Sequence, residues 1–510
     1  MNTDNSSDIS KTSSEKSKTV QQYIEETPLW ADGTPVGSAQ MTAMQWRIWW
    51  LASAGKFFGG LIIFMTGVAL PLLAKRFDLD AVGYGLVSSV TLFGLFVGAT
   101  ALGGLADRYG RKRMFLIEMV VLTLFLVVVS LAPNLIVLLL ALFGIGVALG
   151  CDYPTAHLII SESIPSRHRG RMVLGAFSFQ AVGAFSGIGI SLGVLTVFED
   201  LSAWRWMYAV AILPAFAILV ARFFVVESAQ WLVKSGNVEH ARLSLSRLLK
   251  REPVYPTDIS LSEHDGKPVT GSTFASFREL IRNKETRRAT ILASVPWFLQ
   301  DISTFGVGIF TPLVLSGLFD KTTTQHKGSI AHVVADDIQA AQGAALVDWM
   351  LVVGVLLAIL LSDRVGRIKL QIFGFIGAAI GLFIGVMAPS FGANNEMIVV
   401  LCGLMLFNFM TNLGPNSQTY LIAGEVFPTE HRAVGAGLAA SIGKLGAMST
   451  AFVFPIFLAS VGREALLSVL VVTSLLGAVV TWLYRIETAG INLEEVDLKE
   501  LEQTSDPQAL

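Results

Sequence analysis

Charged residues stand inside long apolar runs of this chain: Lys56, Glu118, Asp152, Asp301, Asp348 and Lys444. A charge at a bilayer centre costs roughly 2.5–3.5 kcal/mol on insertion scales, so such residues face a cavity or a partner and mark function. Uncharged polar candidates in similar runs are Tyr153, Gln180, Trp297, Asn412 and Asn416. Asp301 interrupts the stretch PWFLQDISTFGVGIFTP, and Trp297, four residues before it, shares its helix face. Lys444 offers a positive anchor, while Tyr153, Gln180, Asn416 and Trp297 donate hydrogen bonds. That set suits a small oxyanion. Asp301 either accepts a hydrogen bond from a protonated oxyanion or takes up a proton itself and so relieves repulsion on an incoming anion. The plainer alternative is a structural Asp301–Lys444 ion pair, since intramembrane charges often pair. The two readings coexist.

The elements that position these residues are membrane helices. Of 510 residues, 53% are hydrophobic and 15% charged, against about 25% charged in soluble domains. Mean hydropathy is +0.61. Runs such as Met114–Leu131, Ile372–Met387 and Leu466–Leu483 approach the roughly 20 residues that cross a bilayer as a helix. The dyad alternation of a membrane β-barrel is missing. The fold class is therefore an all-α membrane protein. Twelve spans are predicted, near 47–72, 82–105, 114–132, 135–160, 172–196, 205–225, 289–317, 342–362, 370–389, 396–423, 434–460 and 464–485.

Composition divides the chain further. Residues 1–46 form a polar N-terminal tail without a cleavable signal pattern, its first 45 positions reading as disordered. Residues 47–225 and 289–485 are two six-helix halves, and 486–510 is a C-terminal tail. The polar central loop, 226–288, carries short amphipathic helix signals in QWLVKSG and EHARLSLSRLL. Net charge is −2, so no nucleic-acid footprint is implied. Cys151 and Cys402 lie in apolar runs and read as packing residues. Short loops after even-numbered spans are rich in Lys and Arg, which predicts a cell membrane protein with both termini cytoplasmic. Lys75, Arg76, Lys321 and Lys327 run against that bias.

The halves repeat each other. Asp107-Arg108-Tyr109-Gly110-Arg111 returns as Asp363-Arg364-Val365-Gly366-Arg367, an offset of 256. Glu162-x-x-Pro165-x-x-His168-Arg169 returns as Glu425-x-x-Pro428-x-x-His431-Arg432, an offset of 263. Ser53, Phe57, Phe64, Gly67 and Pro71 return 241 residues later from Ser294 to Pro312. Two repeated halves with a site between them is a transporter architecture. Tyr153 and Asn416 are then symmetry mates, Gln180 and Lys444 near-mates, and Lys56 is the mate of Trp297. These positions ring one central cavity. At the arginine-rich end, Asp107, Arg108 and Arg111, with Asp363, Arg364 and Arg367, form an ion-pair latch between the halves or, on the plainer reading, a topology signal. Glu162 and Glu425 pair with nearby arginines as part of that gate, to which Arg169 and Arg432 also belong.

GGLADRYGRKR, Gly103 to Arg113, resembles the loop signature of the major facilitator superfamily, and the resemblance extends over all twelve spans. It implies rocking-type alternating access. In the second copy, Ile359 stands where the family has its leading glycine. GIGVALGCDYPTAHLIISE, PWFLQD and NLGPNSQTYLIAGEVFPTEHRAVGAGLAASIGKLGA are similar to stretches of the phosphate:proton symporters within it. By that resemblance Tyr153, Gln180, Trp297, Asp301, Asn416 and Lys444 sit where phosphate is contacted. Glu118 and Asp152 sit where the family places acidic proton-path residues. The chain departs from the family at span 1, where Phe57-Phe58-Gly59-Gly60 lacks the usual acid and Lys56 precedes it by one turn. Lys56 joins the substrate site, snorkels, or pairs with Asp152.

The expectation is a secondary transporter that imports a small anion, inorganic phosphate first, with protons coupled through Asp301, Asp152 and Glu118. An organic acid or a sugar-like solute is the alternative, and a non-transporting nutrient sensor a more distant one. A monomer is the default for this architecture. His157, one turn beyond Tyr153, either relays protons or is a packed core residue. Asp348 reads as an outer, solvated carboxylate. There is no ATPase-type phosphate loop, no metal-ligand spacing, no cofactor signature and no nucleophile–base set of an enzyme.

Overall fold

The computed structural model describes residues 18–26, 40–102, 105–250, 259–261, 280, 282–319, 330–427 and 432–488. Twelve of its helices are long and apolar enough to cross a membrane. In the first half these are Ala43–Phe77 (span 1), Ala81–Val97 (span 2), Arg111–Leu131 (span 3), Leu135–Ser163 (span 4), Ser166–Val197 (span 5) and Ala203–Arg222 (span 6). In the second they are Lys284–Phe319 (span 7), Ile330–Val365 (span 8), Arg367–Met387 (span 9), Ala393–Leu413 with Pro415–Glu425 (span 10), Arg432–Val461 (span 11) and Arg463–Leu483 (span 12).

The packing follows the repeat. Span 1 lies along span 5, and span 7 lies along span 11. Small residues permit this: a Cβ on Gly60 would come within 2.0 Å of the Gln180 carbonyl oxygen, and one on Gly183 within 2.0 Å of that of Phe57. Between the halves, span 2 packs on span 11 and span 8 on span 5. Helix starts repeat as well. Gly110 and Gly366 open spans 3 and 9 with φ of +99°, a region that favours glycine. A distant carboxylate then accepts the free helix N–H groups. Glu227 takes that of Lys112 at 2.9 Å, and Glu487 takes those of Arg367 and Ile368 at 2.9 and 3.1 Å.

Four features differ from expectation. The predicted loop 316–341 is helical from Ile330 onward, because IAHVVADDIQAAQG holds good helix formers but too little hydropathy to be read as part of a span. Lys321 and Lys327 lie outside the described residues. Span 10 breaks at Gly414, which adopts φ −106° and ψ −103°, ahead of Pro415, which has no N–H to continue the ladder. In the polar tail, Val20–Glu25 forms a capped helix that buries Val20, Tyr23 and Ile24. Those apolar positions recur at helical spacing, and the Tyr23 hydroxyl accepts the Ser260 N–H at 3.0 Å. The two amphipathic signals of the central loop are the helices Ala229–Lys234 and Val238–Leu248. The fourth difference is the burial of Asp348.

Candidate functional site

A narrow cleft lies between the halves, lined among others by Lys56, Asp152, Tyr153, Gln180, Phe305 and Lys444. Spans 1, 2, 4 and 5 supply its first side, spans 7 and 11 its second. Lys56 is 4% exposed. Its Nζ lies 3.1 Å from the Tyr153 ring centroid and donates to the Tyr153 carbonyl oxygen at 3.3 Å. This is a cation–π contact with a desolvated ammonium. Lys444 donates to Asp301 Oδ2 at 2.9 Å, with both side chains buried. The same ammonium lies 4.9 Å from the Phe305 ring, 5.6 Å from Tyr153 and 5.9 Å from Trp297. The side chains of Trp297 and Gln300 also bear on the Asp301 carboxylate. Asn416 stands one step back: its amide donates to Asn412 Oδ1 at 2.8 Å and accepts from Gln300 at 3.2 Å.

Glu118 and Asp152 belong to a separate cluster in the first half. Arg222, fully buried on span 6, donates to Asp152 Oδ1 at 2.7 Å and stands 3.9 Å from Glu118. It also donates to the carbonyls of Phe115 at 2.7 Å and Leu51 at 3.1 Å. Thr155 donates to Glu118 Oε1 at 2.7 Å. The alternative Lys56–Asp152 pair is therefore not the partnership found: Arg222 occupies Asp152, and Lys56 rests on the tyrosine. Gly55 lets the carboxylate in, since a Cβ there would come within 1.9 Å of Asp152 Oδ2.

Asp348 is not solvated. It is fully buried, and Asn408 of span 10 donates to its Oδ1 at 2.7 Å. Extension of span 8 toward residue 330 places position 348 well inside the helix rather than near its end.

At the arginine-rich end the pairs are largely internal to each half. Arg111 holds Asp107 at 2.9 Å and Glu162 at 2.8 Å. Arg367 holds Asp363 at 2.8 Å and Glu425 at 3.2 Å. Among the described residues, Arg171 and Asp363 form a pair that spans the halves, at 2.9 Å. The latch expected of Asp107 thus has a different composition: Asp107 is taken by its own Arg111, four residues on in the same helical region. Arg108 and Arg364 are exposed, Arg169 is half-buried, and the side chain of Arg432 lies outside the described residues.

Sequence reasoning missed Arg222 and Tyr420. Arg222 stood in plain view, a lone arginine late in the apolar run of span 6. Tyr420 is 263 residues after His157 and is therefore its symmetry mate. The two meet: the Tyr420 hydroxyl lies 3.4 Å from His157 Nδ1. The Tyr420 ring stacks on Phe177 at 4.5 Å and meets Tyr153, a lining residue of the cleft, edge-on at 5.8 Å.

Twelve spans in two repeated halves, with a buried polar cleft between them, define a membrane transporter of the two-half, rocking class. The chain belongs to the sugar (and other) transporter family of the major facilitator superfamily, matched over residues 11–499. It is a family of transporters, not enzymes. The chain is 28% identical over 443 residues to "Inner membrane metabolite transport protein YgcS" of Escherichia coli strain K12, covering 85% of this chain and 89% of that one. It is 27% identical over 441 residues to "Probable inorganic phosphate transporter 1-6" of Arabidopsis thaliana, covering 80% and 83%. The fold is that of the xylose transporter XylE from E. coli in a partially occluded inward open conformation: TM-score 0.68, 19% identity, 88% of this chain and 100% of that one covered.

Proposed function

We propose that this chain imports a small anion by proton-coupled alternating access, with Lys444 and Lys56 attracting the anion and Asp301 exchanging the proton. One observation carries the reading. Two buried lysines border one cleft, and among the described residues only Lys444 has a carboxylate partner. The cleft thus holds one cation in excess of its direct pairings, and Tyr153, Gln180 and Trp297 surround it with donors. An incoming anion competes with Asp301 for Lys444. Protonation of Asp301 frees the lysine, which ties anion binding to a proton without any further moving part. Inorganic phosphate is the first substrate to test, supported by the sequence stretches around Tyr153 and Lys444 and by the name of the plant relative. A small organic acid fits the same charges.

The second reading is a neutral sugar. It is favoured by the charge-compensated Lys444–Asp301 pair and by the range of the family. On either reading Asp107, Arg111, Glu162, Arg171, Asp363, Arg367 and Glu425 form the gate at the cytoplasmic end, the protein sits in the cell membrane with both termini inside, and a single copy is the working unit. The test is uptake of labelled phosphate, a labelled small carboxylate and labelled xylose into proteoliposomes, with and without an inward proton gradient. Gradient-driven accumulation of either anion is the expected result. Accumulation of xylose alone overturns the anion reading.

A further inference from the structure

The second half contains two buried carboxylates that the site above does not use. Asp348 of span 8 is fully buried, its Oδ1 accepts one bond from Asn408, and its Oδ2 has no hydrogen-bond partner. Spans 1, 5, 7, 9 and 10 pack on span 8; Asn408 of span 10 is the hydrogen-bond partner of Asp348, and among the described residues no charged side chain bears on its carboxylate. Asp337 lies eleven residues earlier, three helical turns and roughly 16 Å along the axis, and so on the same face of span 8. It is 2% exposed, and neither of its oxygens has a hydrogen-bond partner. The titratable groups near it are Asp336 on its own helix and Tyr84 on span 2.

From Asp348 a polar series runs inward along one face of span 10, at a spacing of four residues. Asn412 donates to the Asn408 carbonyl at 3.1 Å, Asn416 donates to Asn412 Oδ1 at 2.8 Å, and Gln300 donates to Asn416 Oδ1 at 3.2 Å. Gln300 precedes Asp301, the partner of Lys444. Asparagines at successive turns of a membrane helix, joined to a buried carboxylate, cost insertion energy that apolar residues would not.

We propose that Asp337 and Asp348 are proton-binding residues of the transport cycle, leading protons along the span 8–span 10 interface to the Lys444–Asp301 pair. A buried carboxylate with no counter-charge is costly as an ion, and on this proposal the hydrogen is carried on Oδ2 of Asp348, the oxygen without a partner. Span 8 packs against span 5 of the opposite half. Movement of the halves therefore shifts the helix that carries Asp337 and Asp348, and on this proposal that movement is what lets the proton leave. The net step is proton binding to a carboxylate on one side of the membrane and release on the other. The inference rests on the proton-coupled transport reading, but its first test does not need the substrate.

That test is infrared spectroscopy of the whole protein in lipid at neutral pH. Wild type should show carboxylic-acid C=O absorption from which Asp348→Asn, in a difference spectrum against wild type, removes one component and Asp301→Asn does not. Superimposable wild-type and Asp348→Asn spectra overturn the proposal, whatever the protein transports. The second test uses labelled phosphate in proteoliposomes. Asp348→Asn should lower gradient-driven accumulation relative to phosphate exchange by about tenfold, as loss of the proton-loaded population requires, and Asp348→Glu should restore it. Loss of that component with undiminished accumulation makes Asp348 a bystander and also overturns the proposal. If phosphate proves not to be a substrate, the anion reading suffers and the infrared result stands alone. Should Asp348→Asn fail to fold, Asp337→Asn is the substitute: a severalfold fall in accumulation is expected, and none defeats the proposed path.

Discussion

In the first half, Arg222 reaches Asp152 at 2.7 Å and Glu118 at 3.9 Å, and its two terminal nitrogens also donate to the carbonyls of Phe115 and Leu51. In the second half, Lys444 reaches Asp301 at 2.9 Å through a single bond, beside the cleft, while among the described residues no cation bears on Asp348. The guanidinium is a rigid fork that satisfies several acceptors at once and never loses its charge. The ammonium is a point charge on a flexible stem that can be shared between a carboxylate and a ligand. One half therefore holds its acids in a closed network, and the other leaves them exchangeable. On the proposed reading, coupling lies in the second half, and the acids of the first half serve mainly to hold spans 3, 4 and 6 together. This narrows the expectation that Glu118 and Asp152 share the proton path equally with Asp301.

The largest effect should come from breaking the closed network. Arg222→Leu leaves Asp152 and Glu118 buried without their cation, and removal of one partner of a buried pair costs about 3–5 kcal/mol. Little folded protein should be recovered, read as monodisperse yield and thermal midpoint in detergent. Neutralising the acids in the same background, with Asp152→Asn and Glu118→Gln, should recover much of it. An unchanged midpoint in Arg222→Leu would show that the network adds nothing to stability and would erase the contrast.

Next in size is the exchangeable pair. Asp301→Asn should abolish accumulation driven by a pH gradient while leaving exchange partly intact, because the lysine still attracts the anion but no longer trades it against a proton. Undiminished uphill uptake would remove Asp301 from coupling. Lys444→Ala and Lys56→Ala should each weaken anion binding about 10- to 100-fold, the range of a lost charged hydrogen bond, and neutral-solute binding much less. Equal loss of both, in isothermal titration with phosphate and xylose, would make the lysines structural.

The sequence made much of this contrast legible, and the reasons are specific. Hydropathy runs located all twelve spans, and the repeats paired Tyr153 with Asn416 and Lys56 with Trp297 before any coordinates. Spacing of four put Trp297 and Asp301 on one face, and both bear on Lys444. Partnership was harder to read. Whether Asp152 meets Lys56 or Arg222 depends on the approach of span 6 to spans 1 and 4, which no local pattern encodes. Burial of Asp348 was hidden by the weak hydropathy of residues 330–341, which made span 8 look shorter than it is. The break at Gly414-Pro415 was visible as a dipeptide, yet the apolar run on both sides masked it. Tyr420 required applying the 263-residue offset to His157 as well as to Tyr153.

The smallest expected effect concerns the gate, where the repeat is imperfect. Arg171 bridges to Asp363 across the halves, yet the residue 263 positions after Arg171 is Val434, and so Asp107 has no mirror-image arginine. The side chains of Arg171 and Asp363 are 69% and 39% exposed. Exposed pairs contribute about 0.2–1 kcal/mol, so Arg171→Ala should shift the closed-to-open ratio at this end by no more than about fivefold. Asp363→Ala is a poorer probe, because Asp363 also holds Arg367 at 2.8 Å and its loss disturbs both pairs. Val434→Arg supplies the missing mirror arginine opposite Asp107, whose side chain is 69% exposed and free to turn outward from Arg111. It should shift the ratio by a similar amount in the opposite sense and slow transport if opening here limits the rate. The ratio can be followed by distances between spin labels on the two halves. Opposite shifts in the two variants mean that the ion pairs set the gate equilibrium. Shifts in the same direction mean that helix packing sets it and that the Arg171–Asp363 pair only follows.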